Sequence, residues 1–153
     1  MNTNTCQVEE VAAQEILSAR VRGGVAEIPQ ILGRVYGEIA GYLAELGEGP
    51  AGAPFVVYYN EDMQNLDMEV GFPVNKKLPE RGDLKPGVFP AGKTAMAMHH
   101  GPYQDVEKTY STLATFMQTE KLAPVGHVIE YYLNDPANTP AAELLTKVVF
   151  PLR

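Results

Sequence analysis

An α+β fold is predicted from this sequence: tandem strand-helix-strand-strand repeats forming one antiparallel sheet, with two helices on one face and a central groove. The first observation behind it is internal duplication. Gly23 has a counterpart at Gly101, and Phe72, Pro73 and Val74 have counterparts at Phe150, Pro151 and Leu152, both at an offset of 78 residues. Between these markers, residues 55–60 echo residues 129–134 at an offset of 74. A period of this length is too long for a solenoid and fits a duplicated module whose halves close one core. The second observation is one amphipathic helical pattern per copy. The third is a set of β-branched and aromatic runs flanking each helix.

In chain order, the first copy opens with a strand over 14–22, carrying Ile16, Leu17 and Val21 and broken by Gly23 and Gly24. A helix follows over 26–46, with Pro29 in its first turn, where a missing N–H is harmless. Its apolar stripe is Ile28, Ile31, Leu32, Val35, Ile39, Tyr42, Leu43 and Leu46, spaced at threes and fours. Gly33, Gly37 and Gly41 recur every fourth residue within it. Each costs about 1 kcal/mol against alanine in a helix interior, so either another backbone or a ligand approaches closely there, or the glycines are merely tolerated. A glycine-rich loop at 47–52 ends the helix. Residues 55–60 read as a strand, and residues 68–74 as its continuation or antiparallel partner after a turn near residues 60–62. Residues 75–90, with lysine, proline and glycine, read as a linker. The second copy has a strand over 91–99, then a helix from Gly101 and Pro102 to Lys121 with the stripe Val106, Tyr110, Leu113, Ala114 and Met117. A strand over 127–133 follows Pro124 and Gly126, and a last strand covers 145–152 after a turn at Asn134, Asp135 and Pro136. The reading is one domain over 1–153, with repeats at 10–74 and 91–153.

A chain of 153 residues is long enough to bury roughly two-thirds of its unfolded surface as one domain. Its 45% hydrophobic and 20% charged content argues against disorder. The apolar runs are too short to span a bilayer, and the N-terminus has neither the basic nor the apolar segment of a secretory signal. Cys6 stands alone, so no intrachain disulfide forms, which fits a reducing, cytoplasmic setting. A net charge of −7 without a basic stripe argues against direct nucleic-acid binding; Lys76, Lys77, Arg81 and Lys85 all fall in the linker. The acidic balance is compatible with a cationic ligand or a basic protein partner, and more often it only confers solubility. No metal set is complete, because His99 and His100 point to opposite faces and His127 is distant in sequence. No phosphate loop, nucleophile elbow or supported Cys–His pair is present, and no cofactor is expected.

The most informative difference between the copies is that Val56 aligns with Glu130. Alternate side chains of a strand share a face, so Val128, Glu130 and Tyr132 point together, and Val56 and Tyr58 hold the twin positions. An unpaired carboxylate in an otherwise apolar strand is expensive. Glu130 therefore pairs with a basic side chain, takes up a proton through a raised pKa, awaits a cationic ligand, or lies at a sheet edge facing water. The ligand-facing reading makes it the candidate anionic group. Tyr58, Tyr103, Tyr110 and Tyr132 are the aromatics placed to line a groove, each offering a flat apolar face, cation–π attraction and a hydroxyl. Tyr110 continues the helix stripe and is equally read as core. Met96 and Met98 share one strand face and supply either an adaptable pocket wall or plain packing.

Three segments carry a family resemblance: His100, Gly101, Pro102 and Tyr103 before a helix, residues 129–136, and residues 146–152. They resemble the GyrI-like small-molecule-binding family, which includes the effector-binding domains of bacterial multidrug-responsive transcription activators. The resemblance covers about residues 10–153 and is most specific over 130–136. It implies the tandem strand-helix-strand-strand fold, and a glutamate at the position of Glu130 inside an aromatic-lined pocket that meets cationic, amphipathic aromatic ligands. Regulator members carry an N-terminal helix-turn-helix, and the roughly ten residues before the first strand are too few for one, so this chain is expected to resemble the stand-alone members. Some of those antagonise DNA gyrase, and others hydrolyse cyclopropane-bearing DNA-alkylating compounds.

Three functions are thus expected, in descending order. The first is binding of aromatic, cationic small molecules, with Glu130 supplying charge and Tyr58, Tyr103 and Tyr132 stacking surfaces. The second is hydrolysis of electrophilic xenobiotics, with Glu130 as the catalytic general base and a tyrosine hydroxyl stabilising the leaving oxygen. The third is a protein-interaction module, such as a gyrase inhibitor, acting through the acidic surface.

Overall fold

The duplication in the sequence is a duplication in backbone pairing. A computed structural model describes residues 6–153. Its elements are β1 (Gln7–Val11), β2 (Gln14–Gly23), α1 (Ile28–Glu45), β3 (Phe55–Tyr58), β4 (Leu66–Pro73), β5 (Lys85–Phe89), β6 (Gly92–His100), α2 (Val106–Thr119), β7 (Val128–Tyr132) and β8 (Leu145–Pro151). They are arranged in two compact units. The first-copy unit is Ala12–Ala91, with antiparallel strands in the order β3-β4-β2-β5 and α1 packed on the sheet. The second-copy unit joins the chain up to Val11 to Gly92–Arg153, with antiparallel strands in the order β1-β6-β8-β7 and α2 packed on the sheet. Equivalent pairs keep the offsets read from the sequence. Ile16 lies opposite Pro73 and Thr94 opposite Pro151; Phe55 lies opposite Gly71 and Ile129 opposite Val149. The α+β class and the tandem strand-helix-strand-strand order are those predicted.

Two strands differ from expectation. Residues 85–89, read as linker, form β5, which pairs with β2; residues 7–11, read as lying before the first strand, form β1, which pairs with β6. They escaped because each is five residues long, β1 alternates weakly, and β5 contains Pro86 and Gly87. Proline is confined to edge positions in sheets, and β5 is the outer strand of its unit. β1 and β5 are themselves 78 residues apart, so the repeat has five elements and each copy lends its first strand to the other copy's unit.

The two helices bury their stripes as amphipathic patterns require. α1 buries Val35, Ile39, Tyr42 and Leu43, and α2 buries Thr109, Leu113 and Met117. Ala114, read on the second stripe, is exposed, and its place is taken by Thr109. A 3-10 turn over Tyr103–Asp105 precedes α2, so Pro102 sits just before that turn rather than inside the helix. Gly101 has φ +119°, which admits glycine where the chain leaves β6. The basic residues of 75–90 are largely neutralised in place. Lys76 pairs with Glu48 at 3.1 Å, Lys85 with Glu80 at 2.5 Å, and Arg81 with Glu45. None of the described helices is long and apolar enough to cross a membrane.

The glycines divide into two kinds. Gly33, Gly37 and Gly41 lie on the exposed face of α1, and a Cβ added at any of them meets no atom within 4 Å. Close backbone approach is not their role. Gly71 in β4 is the opposite case: a Cβ there lies 2.3 Å from the Leu17 carbonyl oxygen and 2.7 Å from Ser18 Cβ. Gly37→Ala is therefore expected to stabilise the protein by about 1 kcal/mol, and Gly71→Ala to destabilise it by about 2–3 kcal/mol through forced strand displacement, both read by urea denaturation.

Candidate binding site around Glu130

β7, β8 and β6 fix the site through register. Glu130 lies opposite Val148, which lies opposite Ala97; one row away, Tyr132 lies opposite Thr146, which lies opposite His99. Registered neighbours share a face. That face looks toward α2, because the Tyr110 hydroxyl of α2 donates to Glu130 Oε2 and Thr109 of α2 bonds His99. Tyr132 donates its hydroxyl to Glu130 Oε1 at 2.9 Å. Both carboxylate oxygens thus receive a phenolic O–H, one from the helix and one from the strand.

Glu130 is 8% exposed, and among the described residues no lysine or arginine pairs with it. The edge-facing and ion-paired readings of this carboxylate are therefore not the ones observed. Burial pushes its pKa up, opposed by the O–H donors of Tyr110 and Tyr132 and by the electrostatic influence of His99. Aromatic rings surround it. Tyr110 meets Phe150 edge-on with centroids 5.8 Å apart, and Tyr103 meets Tyr132 edge-on at 5.6 Å. Tyr103 is 36% exposed, so rings lead from the surface to the carboxylate. Burial, then Asp135 and Glu130, raise the Tyr103 pKa, which keeps its phenol protonated.

The predicted residues fall into three groups. Glu130, Tyr132, Tyr110 and Tyr103 are brought together. Val56 and Tyr58 lie in the first-copy unit, opposite Val70 and Met68, with Val56 fully buried. Met96 and Met98 are not on the Glu130 face. They lie opposite Val149 and Lys147, one residue out of phase with Ala97 and Val148, and Gln7 Nε2 donates to Met96 Sδ at 3.2 Å. Strand parity paired the two methionines correctly, but only the register against β8 shows which side they occupy.

Three residues of the face were not foreseen: His99, Thr109 and Thr146. His99 is buried, with Nε2 2.9 Å from the Pro102 carbonyl oxygen and Nδ1 2.9 Å from Thr109 Oγ1. Since a carbonyl only accepts, Nε2 carries a proton and donates it to Pro102, while Nδ1 and the Thr109 hydroxyl share the other hydrogen bond. The ring thus holds the residues immediately preceding Tyr103 and Tyr110. Thr146 is fully buried and its Oγ1 makes no hydrogen bond among the described residues, a condition that costs about 1–3 kcal/mol. The signal that finds these residues is the repeat itself. At the 78-residue offset His99, Thr109, Tyr110 and Thr146 correspond to Val21, Ile31, Leu32 and Met68, just as Glu130 corresponds to Val56. The backbone pairing agrees, because Val21 lies opposite Met68 as His99 lies opposite Thr146. One copy is apolar at five positions where the other is polar.

Similar proteins agree with this architecture. The EcmrR chain in its DNA complex superposes with a TM-score of 0.86 at 19% identity, covering 99% of this chain and 58% of that one, so the present chain spans just over half of EcmrR. The EcmrR C-terminal domain alone gives 0.82 at 18% identity, covering 98% of each chain. A hydrolase from Listeria innocua gives 0.75 at 15% identity, covering 97% of this chain and 91% of that one. SAV2435, in a structure bound to tetraphenylphosphonium, gives 0.67 at 12% identity, covering 97% and 94%. No curated protein matches the sequence. At these identities the likeness is one of fold, whereas the family described as the GyrI-like small molecule binding domain matches the sequence itself over residues 4–153. This chain belongs to the GyrI-like small molecule binding domain family.

Proposed function

We propose that the protein binds amphipathic aromatic cations at Glu130. The observation that carries this reading is a buried carboxylate with no lysine or arginine partner among the described residues, held by two phenol hydroxyls and ringed by tyrosines. Folding alone does not require such a group, since an apolar residue of similar volume packs without desolvation cost, and the twin position holds Val56. A delocalised cation suits it. The charge meets the carboxylate, and the planar body stacks on Tyr103 and Tyr132. Membership of a small-molecule-binding family supports the reading, and so does the phosphonium bound to SAV2435.

A second reading is favoured by the raised Glu130 pKa. A general base works best with a pKa near the operating pH, and Tyr110 sits within hydrogen-bond reach of it. Glu130 would take a proton from water as the water oxygen bonds to a cyclopropane carbon. The ring C–C bond breaks, its electron pair passes to a conjugated carbonyl oxygen steadied by a tyrosine hydroxyl, and that oxygen then takes the proton from Glu130. Incubation with a cyclopropane-bearing alkylator and mass spectrometry of the hydrated product decides it. Hydrolysis above the buffer rate that is lost in Glu130→Gln supports an enzyme, and a buffer-level rate removes that reading.

For the binding reading, titration with tetraphenylphosphonium is followed by tyrosine fluorescence, which the lack of tryptophan leaves unobscured. Glu130→Gln is expected to weaken binding at least about tenfold, or ~1.4 kcal/mol, while raising Tm by about 2–4 °C because a buried charge is removed. Undiminished affinity in this variant ends the assignment.

The pH dependence has a definite sign. The native state holds the Glu130 proton more tightly than the unfolded chain, so this group's stabilising effect is complete below its ordinary value of 4.5 and is lost as pH rises through the raised value. The cation needs the ionised form, so its affinity rises with pH over that same window. Both slopes are expected to flatten in Glu130→Gln, as measured by denaturation and by ligand titration across pH.

A further inference from the structure

Thr146 is the residue of this face whose chemistry the binding reading leaves unused. Its side chain is fully buried, and its hydroxyl makes no hydrogen bond among the described residues. It lies opposite His99 on one side and Tyr132 on the other, in the row next to Glu130. Neither flanking side chain takes up the hydroxyl: the Tyr132 phenol is directed to Glu130, and both ring nitrogens of His99 are bonded to Thr109 and Pro102. Buried hydroxyls are normally satisfied, and valine would keep the shape and the strand preference without the polar atom. The equivalent position in the other copy is Met68, itself fully buried and apolar.

We propose that Thr146 Oγ1 is a hydrogen-bonding subsite for the molecule bound at Glu130, so that the preferred ligand class is an aromatic cation carrying a hydroxyl or carbonyl oxygen. This rests on the cation-binding reading of the Glu130 face. A threonine hydroxyl both donates and accepts, so it serves either kind of oxygen. Charge recognition and oxygen recognition then come from adjacent rows, and the subsite discriminates among cations that Glu130 alone treats alike. Recognition through a buried, otherwise unpaired polar group is selective because a ligand lacking the matching atom leaves that group unsatisfied.

The test is a matched pair of cations, ethyltriphenylphosphonium and (2-hydroxyethyl)triphenylphosphonium, titrated calorimetrically into the wild type, Thr146→Val and Thr146→Ser. The hydroxylated cation is expected to bind the wild type about five- to tenfold more tightly, the worth of one neutral hydrogen bond. Thr146→Val is expected to erase that ratio while leaving the ethyl compound unchanged, and Thr146→Ser to restore it. The melting temperature of Thr146→Val is expected to equal or exceed that of the wild type. An unchanged ratio in Thr146→Val overturns the proposal. Equal losses for both cations overturn it too, assigning the hydroxyl to a fixed water, and a lowered melting temperature does so by revealing an internal partner. Binding of both cations that requires Glu130 but ignores Thr146 sinks the subsite alone; failure of either cation to bind the wild type sinks the cation reading and the subsite with it.

Discussion

The carboxylate of Glu130, buried and without a lysine or arginine partner among the described residues, is the constraint around which the second-copy unit is organised. Each of its oxygens takes a phenol hydroxyl, Tyr110 from α2 and Tyr132 from β7. Sharing one acceptor group ties the helix to the strand more specifically than apolar packing does, because hydrogen bonds have direction. His99 adds a second tie between β6 and the start of α2. The helix is thus located on its sheet partly by polar bonds that all converge on one face.

Duplication makes the meaning of these polar groups unusually plain. The first-copy unit has the same strand pairing and a helix packed on its own sheet, yet it carries Val21, Ile31, Leu32, Val56 and Met68 where the second carries His99, Thr109, Tyr110, Glu130 and Thr146. The fold is therefore satisfied by hydrocarbon at all five places. What the polar set adds is a buried carboxylate with two phenol donors on one face of the sheet. The first-copy unit places its own polar cluster on the other side of its sheet. There Ser18 and Tyr59 each donate to Glu69 at 2.5 Å, and Arg20 lies 3.9 Å over the Tyr59 ring while binding Asp67. That cluster contains its own cation.

Much of this was legible before any coordinates. The 78-residue offset reproduced the strand register, the 74-residue offset matched Val56 to Glu130, and the helical stripes named most of the buried positions. What escaped has physical reasons. β1 and β5 are short, and β5 carries a proline, so neither shows the alternation that betrays a strand. His99 and Thr146 look unremarkable in isolation and become informative only when the repeat comparison is extended from β3 and β7 to the other strands. Met96 and Met98 were assigned to a common face, but a lone strand does not reveal which side its helix covers. The α1 glycines were ambiguous between contact and tolerance, and open space around all three decides for tolerance.

The exchange of first strands has a consequence for how the protein is made. β1 is synthesised some eighty residues ahead of its partner β6, so at roughly 5–20 residues per second it waits several seconds unpaired. Over that interval the Ala12–Ala91 unit is synthesised, and it is complete as β6 begins. The unit that bears Glu130 closes after that one, by retrieving a strand synthesised ahead of both. Long loop closure of this kind slows folding, and it leaves an early strand waiting on a late one.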